Sequence, residues 1–232
     1  MKILLLLVMS LSLWANIGNI MAIKGSADIK RAGDILHAKN GTSLLKGDNI
    51  ITATKSRVQV MLNDSTVITI GANSSFSFEE YIFDGTKNSK LTMRANRGFF
   101  RSVTGSIGKI APKRFKVKTA SATIGIRGTD FSGDISPDRE IFKCYQGAIF
   151  IEFDGNIKDL DAGMIAEILK GKFEIKESID RRNRKGVVVE SKDGEEVPSE
   201  VISDITQVVE DSENDDEELD VDTSSEDRQA QY

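Results

Sequence analysis

The sequence predicts an all-β fold, an antiparallel sandwich or jelly-roll-like β-roll built from many short strands. Three observations carry this expectation. Apolar and polar residues alternate at period two through much of the central stretch of about 175 residues, as strands with one face on a core require. Turn-forming groups interrupt that alternation at short intervals: Lys46-Gly47-Asp48, Asn63-Asp64-Ser65, Asp84-Gly85, Arg97-Gly98, Gly133-Asp134 and Asp154-Gly155. No stretch before Gly171 carries a helical apolar stripe, so neither an all-helical nor an alternating βαβ fold fits.

The elements follow in chain order. Ile17, Ile20, Ala22 and Ile23 read as a first strand. Val58, Val60 and Leu62 alternate with Arg57, Gln59 and Met61, and Leu91, Met93 and Ala95 with Thr92 and Arg94. Phe115 and Val117 alternate with Lys116 and Lys118, while Ile149, Ile151 and Phe153 flank the oppositely directed Phe150 and Glu152. Pro112, Pro137 and Pro198 fall in loops or at element starts, where a missing N–H is tolerated. Beyond the strands, Val201, Ile202, Ile205, Val208 and Val209 have helical spacing behind Pro198. Such a helix either caps the β body or docks on a partner.

The two ends differ in kind from this body. Met1-Lys2, the apolar run Ile3–Trp14 and small residues after it have the three-part plan of a secretory signal. A run of twelve residues falls short of the roughly 20 that span a bilayer as a helix. Ala15 is the expected last residue of the signal (1–15), with Ala22 as the alternative; the mature chain is expected to have no transmembrane span. From Glu190 to Tyr232 the chain carries a net charge of −15, which leaves +10 on residues 1–189. The expected organisation is therefore a β domain over 16–189, a linker with the amphipathic helix over 190–210, and a disordered acidic tail over 211–232.

Residues for catalysis are scarce. The single histidine, His37, cannot assemble a triad or a multi-histidine metal site, and Cys144 is the only thiol. Cys144 reads as a small core residue, with no second cysteine for an internal disulfide. Gly105-Ser106-Ile107-Gly108-Lys109-Ile110 lacks both the first glycine and the Ser or Thr of a phosphate loop. The acid pairs Glu79-Glu80 and Asp159-Asp161 read as solvated faces. No cofactor and no metal is expected, and no enzymatic activity.

Cations are the better lead. Arg94, Arg97, Arg101, Lys109, Lys113, Arg114, Lys116 and Lys118 crowd a short stretch, with Arg127 soon after. The candidate anion or partner contacts are Arg94, Arg97, Arg101, Lys113, Arg114, Lys116, Lys118 and Arg127. They are either ordinary solvated strand faces or a site for an anionic partner. Nucleic acid is not expected, given the secretion signal. A second basic cluster, Arg181-Arg182-Asn183-Arg184-Lys185, precedes Val187–Val189.

An ordered set of motifs resembles the FecR domain family. Gly47-Asp48-Asn49-Ile50-Ile51-Thr52 is similar to the family's opening strand, and Ser56–Leu62 with Asn63-Asp64-Ser65 to its second strand and turn. Leu91-Thr92-Met93 with Gly98 follows, then Phe115–Thr119 leading to Gly125-Ile126-Arg127-Gly128-Thr129-Asp130-Phe131. Gln146-Gly147-Ala148-Ile149 and Ala162-Gly163 resemble the later glycine turns. The resemblance covers roughly 48–152. It implies a structural role for Gly47, Asp48, Asp64, Gly98, Arg127, Gly128, Thr129, Phe131, Gly147 and Gly163, with the glycines at hairpin turns and Arg127 locking its turn on a carboxylate or carbonyls.

The resemblance also implies the extracytoplasmic domain of a bacterial envelope transducer. Nothing precedes the signal segment here, so direct contact with a cytoplasmic sigma factor is not expected. The expectation is a secreted or periplasmic, non-catalytic binding, relay or scaffolding module. Its partner would be an envelope protein or an anionic envelope polymer. The alternative is a cell-surface structural protein that binds anionic polymers or divalent cations.

Overall fold

The alternating apolar positions become the inward faces of fifteen strands in a computed structural model that describes residues 16–177. The segment 1–15, the cluster Arg181–Lys185, the helix expected over 201–209 and the acidic tail lie outside the described residues. The first strands are β1 (Asn16–Lys24), β2 (Ala27–Arg31), β3 (Asp34–His37), β4 (Ser43–Leu45) and β5 (Asn49–Thr52). Then come β6 (Arg57–Leu62), β7 (Val67–Ile70), β8 (Ser75–Ile82) and the long β9 (Lys90–Val103). A short helix α1 (Ser106–Ile110) and a 3₁₀ turn (Pro112–Arg114) lead to β10 (Phe115–Lys118). Two more long strands, β11 (Ala122–Ile135) and β12 (Arg139–Phe153), precede β13 (Asn156–Asp161), β14 (Met164–Leu169) and β15 (Lys172–Glu177). Among the described residues no helix is long and apolar enough to cross a membrane.

All fifteen strands belong to one hydrogen-bonded sheet, which folds over on itself because its long strands change neighbours part-way along. The first half of β9 lies between β8 and β10; its second half lies between β7 and β11. β12 follows β11 along its whole length, pairing with β14 over Arg139–Lys143 and with β13 over Ala148–Phe153. One ladder thus runs β3-β2-β5-β8-β9-β10-β11-β12-β13, and the other β4-β1-β6-β7-β9-β11-β12-β14-β15. Only β9 and β10 pair parallel, joined by the α1 crossover.

Glycines mark the places where the strands fold over. Gly98 in β9, Gly128 in β11 and Gly147 in β12 have φ of 81°, 61° and 77°, a region costly for residues with a Cβ. Gly98 pairs with Ile135 at the end of β11, whereas Thr129, next to Gly128, bonds Thr104 just past the end of β9. The two fold lines therefore lie at opposite ends of the shared β9–β11 ladder. This corrects the expectation of hairpin turns at Gly98 and Gly147: each sits inside a continuous strand. Gly133-Asp134 is not a turn either. Gly133 stands opposite Phe100, whose ring comes within 2.4 Å of where its Cβ would be, so the glycine makes room for a core side chain.

The inward faces of the two ladders form one apolar core. Through it runs a chain of rings, Phe78, Phe76, Phe100 and Phe131, with successive centroids 5.7, 5.4 and 5.8 Å apart. Such tilted and edge-on contacts add about 0.5–1.5 kcal/mol per pair beyond area burial. The chain ties β8 to the second halves of β9 and β11. Ile17 and Ile20 of β1 join the core, while a bulge between Ile20 and Ala22 turns Ala22 outward. Cys144 is buried, and burial pushes its thiol pKa up. The strands β3, β4, β13 and β15 form the open edges; β13 presents Ile157, Lys158, Asp159 and Asp161 to solvent.

Replacing Gly98 tests the fold line. A Cβ there would stand 2.7 Å from the Ser74 Cα, in addition to adopting positive φ. Gly98→Ala should cost at least about 2 kcal/mol, whereas Gly155→Ala, strained by φ but with open space around it, should cost about 1 kcal/mol. Thermal unfolding of the two variants side by side measures the difference; equal losses would refute the packing constraint.

Candidate anion- and partner-binding surface

Most of the signature residues are consumed in building the fold. Asp48 is fully buried, and both its oxygens take a guanidinium N–H from Arg31, at 2.8 and 2.7 Å. It also accepts the Leu45 N–H at 2.8 Å. This carboxylate, set up by Gly47 at φ 91°, fixes the β4–β5 turn against β2. The hydrogen bond to Asp48 raises the Arg31 pKa further. Asp64 plays a comparable part at the other turn. Its Oδ2 accepts the Thr66 hydroxyl at 2.8 Å and the Ile107 N–H at 3.1 Å, satisfying a donor at the start of α1. Its own N–H donates to the Tyr81 hydroxyl at 2.8 Å, and burial pushes the Tyr81 pKa up. Ser65 stands at φ 66°, where a glycine would sit without strain.

The segment Gly125–Phe131 is one strand with a fold in it. Thr129 donates its N–H to the Thr104 hydroxyl and accepts the Thr104 N–H, both at 3.0 Å. Phe131 ends the ring chain of the core. Gly147 lies so close that a Cβ would meet the Gly128 carbonyl oxygen at 2.2 Å. Gly163, at φ 88°, donates to the Cys144 carbonyl at 2.8 Å. Arg127 departs from expectation. Its guanidinium is exposed and holds neither a carboxylate nor a carbonyl among the described residues. The nearby Asp130 is taken by Arg101 instead, because Asp130 pairs with Val103 in the ladder, beside Arg101.

The eight candidate cations divide into two groups. Register places Arg94 directly beside Lys118, and Glu79, at a bulge in β8, bonds both; the Lys118 contact is 3.2 Å. Partial burial works against the Glu79 carboxylate, but the hydrogen bonds from Arg94 and Lys118 outweigh it and hold its pKa below the ordinary value. Arg101 forks onto Asp130 at 2.9 and 2.8 Å and stacks over the Tyr145 ring, 4.6 Å from its centroid. Arg97, Lys113, Arg114, Lys116 and Arg127 are exposed, with no ion pair among the described residues. Arg97 lies at the β9 fold line, away from the other four, which gather along β10, the 3₁₀ turn before it and β11.

Sequence reasoning missed the carboxylates that sort these cations. Glu79 read as a solvated face, and only the bulge that re-aims it shows its role. Glu140, buried, accepts the Thr119 hydroxyl at 2.7 Å and the Ser121 hydroxyl at 3.0 Å, which clamps the β10–β11 hairpin. Above that hairpin lies an open polar cleft of about 330 Å³, lined by Arg94, Lys118, Thr119, Ser121, Glu152 and Asp154. Its charges are mixed rather than cationic. His37 is exposed, 3.2 Å from Asp28.

The family model for the FecR protein family matches residues 48–150. These residues belong to the FecR family. The match runs from the buried Asp48 to Phe150, so it takes in the aspartate anchors, all three fold-line glycines and the ring chain. Two solved structures of a candidate anti-sigma factor from Parabacteroides distasonis are similar at 15% identity, with TM-scores of 0.48 and 0.46. In each case 56% of this chain aligns with 59% of that one, so the chain spans well under two thirds of its length. A structure described as a cell surface anchoring domain aligns over 26% of this chain and 82% of that one, at 26% identity and a TM-score of 0.26. No curated protein matches.

The Glu79 bridge gives the FecR domain a defined acid response. Its folded pKa lies below the unfolded one, so its contribution is complete above the ordinary carboxylate range and disappears as pH falls through the folded value. The stability gap between the wild type and Glu79→Gln should be widest near pH 7 and close in acid, read by chemical denaturation at each pH. A gap independent of pH would show that the charge is not what Glu79 contributes.

Proposed function

We propose that this chain is exported and that its FecR domain is a non-catalytic module of the bacterial envelope, relaying a signal or scaffolding by contact with another envelope protein. The observation that carries this reading is where the signature residues go. Asp48, Asp64, Thr129, Phe131 and the fold-line glycines are buried or spent on backbone geometry, so what the family pattern specifies is a rigid surface rather than a reactive centre. The FecR match supports a relay role of this kind. Affinity purification of the full mature chain from cross-linked envelopes tests it. One stoichiometric envelope protein is the expected outcome, and recovery of none would overturn the relay reading.

A second reading, a surface protein holding an acidic polymer, draws on the unpaired cations around β10.

Export further requires that the signal be removed without cutting the fold. Ile17 and Ile20 are 2% and 0% exposed, so cleavage after Ala22 would strip two core residues and most of β1. Cleavage after Ala15 leaves β1 whole. Mass spectrometry of the exported protein should find Asn16 as its first residue; a start at Ile23 would contradict this.

A further inference from the structure

We propose that the outward face of β10, β11 and β12 binds an acidic polysaccharide, with the Phe150 ring against the face of a sugar and Lys116 and Arg127 on its carboxylates. This inference rests on the reading of the chain as an exported envelope protein, which would meet such polymers.

Residues 85–129 contain eleven Lys and Arg and no Asp or Glu, so every counter-charge must come from elsewhere in the fold. The fold delivers carboxylates to four of the eleven: Glu80 to Lys90, Glu79 to Arg94 and Lys118, and Asp130 to Arg101. It delivers none to Lys109, Lys113, Arg114, Lys116 or Arg127 among the described residues, and all five are exposed. These belong to one neighbourhood, since α1 and the 3₁₀ turn pack against β11 and Lys116 lies directly opposite Gly125. Their mutual repulsion is relieved by an anionic ligand.

The second observation is the aromatic ring. Ile149 and Ile151 point into the core, so Phe150 is on the outward face, where core packing does not call for it. It stands opposite Gly125, and its ring lies within 1.9 Å of where a Cβ of that residue would be. The ring is therefore laid across β11 toward Lys116, with Arg127 two residues further along the same face. Covering a strand glycine explains the contact below the ring. Phe150 is half-buried, and register sets Lys116 and Arg127 to either side of it, so the outer side of the ring is left for a ligand.

A sugar ring offers C–H groups to an aromatic face and, when it is a uronate, a carboxylate at its rim. A nucleic acid would call for several stacking rings, and this face offers one. An acidic peptide would satisfy the cations but not the ring. Single exposed ion pairs are weak in water, so a repeating polymer that engages several at once is favoured over a free acid. Asp159, opposite Phe150 on β13, and Asp161, opposite Ala148, bound the site on that side. The polymer is thereby directed along β10 and the 3₁₀ turn.

Binding of alginate oligosaccharides to the full mature chain, beside neutral dextran and polyglutamate, tests the proposal. Alginate should bind and weaken with salt, and dextran should not bind. Lys116→Gln with Arg127→Gln should lower alginate affinity about tenfold, as loss of two cooperating charges implies. Phe150→Leu, which keeps apolar cover over Gly125, should lower it about fivefold while leaving polyglutamate unchanged. Thermal unfolding confirms that each variant is folded. No alginate binding, or a Phe150→Leu variant that binds alginate as the wild type does, would overturn the sugar site. An envelope protein partner recovered by cross-linking alongside either of those results would leave the relay reading standing.

Discussion

Three strands must each serve two ladders, and the backbone can meet that demand only where a side chain is absent. β9, β11 and β12 change partners at Gly98, Gly128 and Gly147, all with positive φ. Gly98 and Gly147 are also hemmed in by Ser74 and by the Gly128 carbonyl. Everything else follows from these folds. They bring the apolar faces of the two ladders together, they let Phe131 reach Phe100, and they place the two fold lines at opposite ends of one shared ladder. Without them the long strands would continue straight and leave their inward residues in water.

The anchors at Asp48 and Asp64 act on the same architecture from outside the core. Each is a buried carboxylate fully occupied by donors, the form in which burial of a charge is tolerable. Asp48 draws β2 to the β4–β5 turn through Arg31, and Asp64 draws the start of α1 to the β6–β7 turn. The parallel β9–β10 joint depends on that second tie, because α1 is the crossover that makes it possible. Structural demand on these carboxylates is why they are not available at the surface.

Much of this was legible in the sequence. Alternation at Val58–Leu62, Phe115–Lys118 and Ile149–Phe153 gave both strand positions and facing, and it put Phe150 and Glu152 outward. The order of the motifs indicates the FecR family. What sequence could not show was which glycines turn the chain and which bend it. Gly85 and Gly155 lie between strands, whereas Gly98, Gly128, Gly133 and Gly147 lie inside them, because their neighbours arrive from distant segments: Ser74, Thr104, Phe100 and each other. The sorting of the cations was hidden for the same reason. Arg94 and Lys118 share Glu79 only because a parallel register and a bulge bring together residues far apart in the chain.

The edge strand β13 bears on how this domain keeps company. An unpaired strand invites another to zip onto it, and Lys158, Asp159 and Asp161, all turned to solvent, make such an addition electrostatically awkward for a second copy. On this edge, stacking of one copy on another is disfavoured even with Ile157 exposed beside those charges.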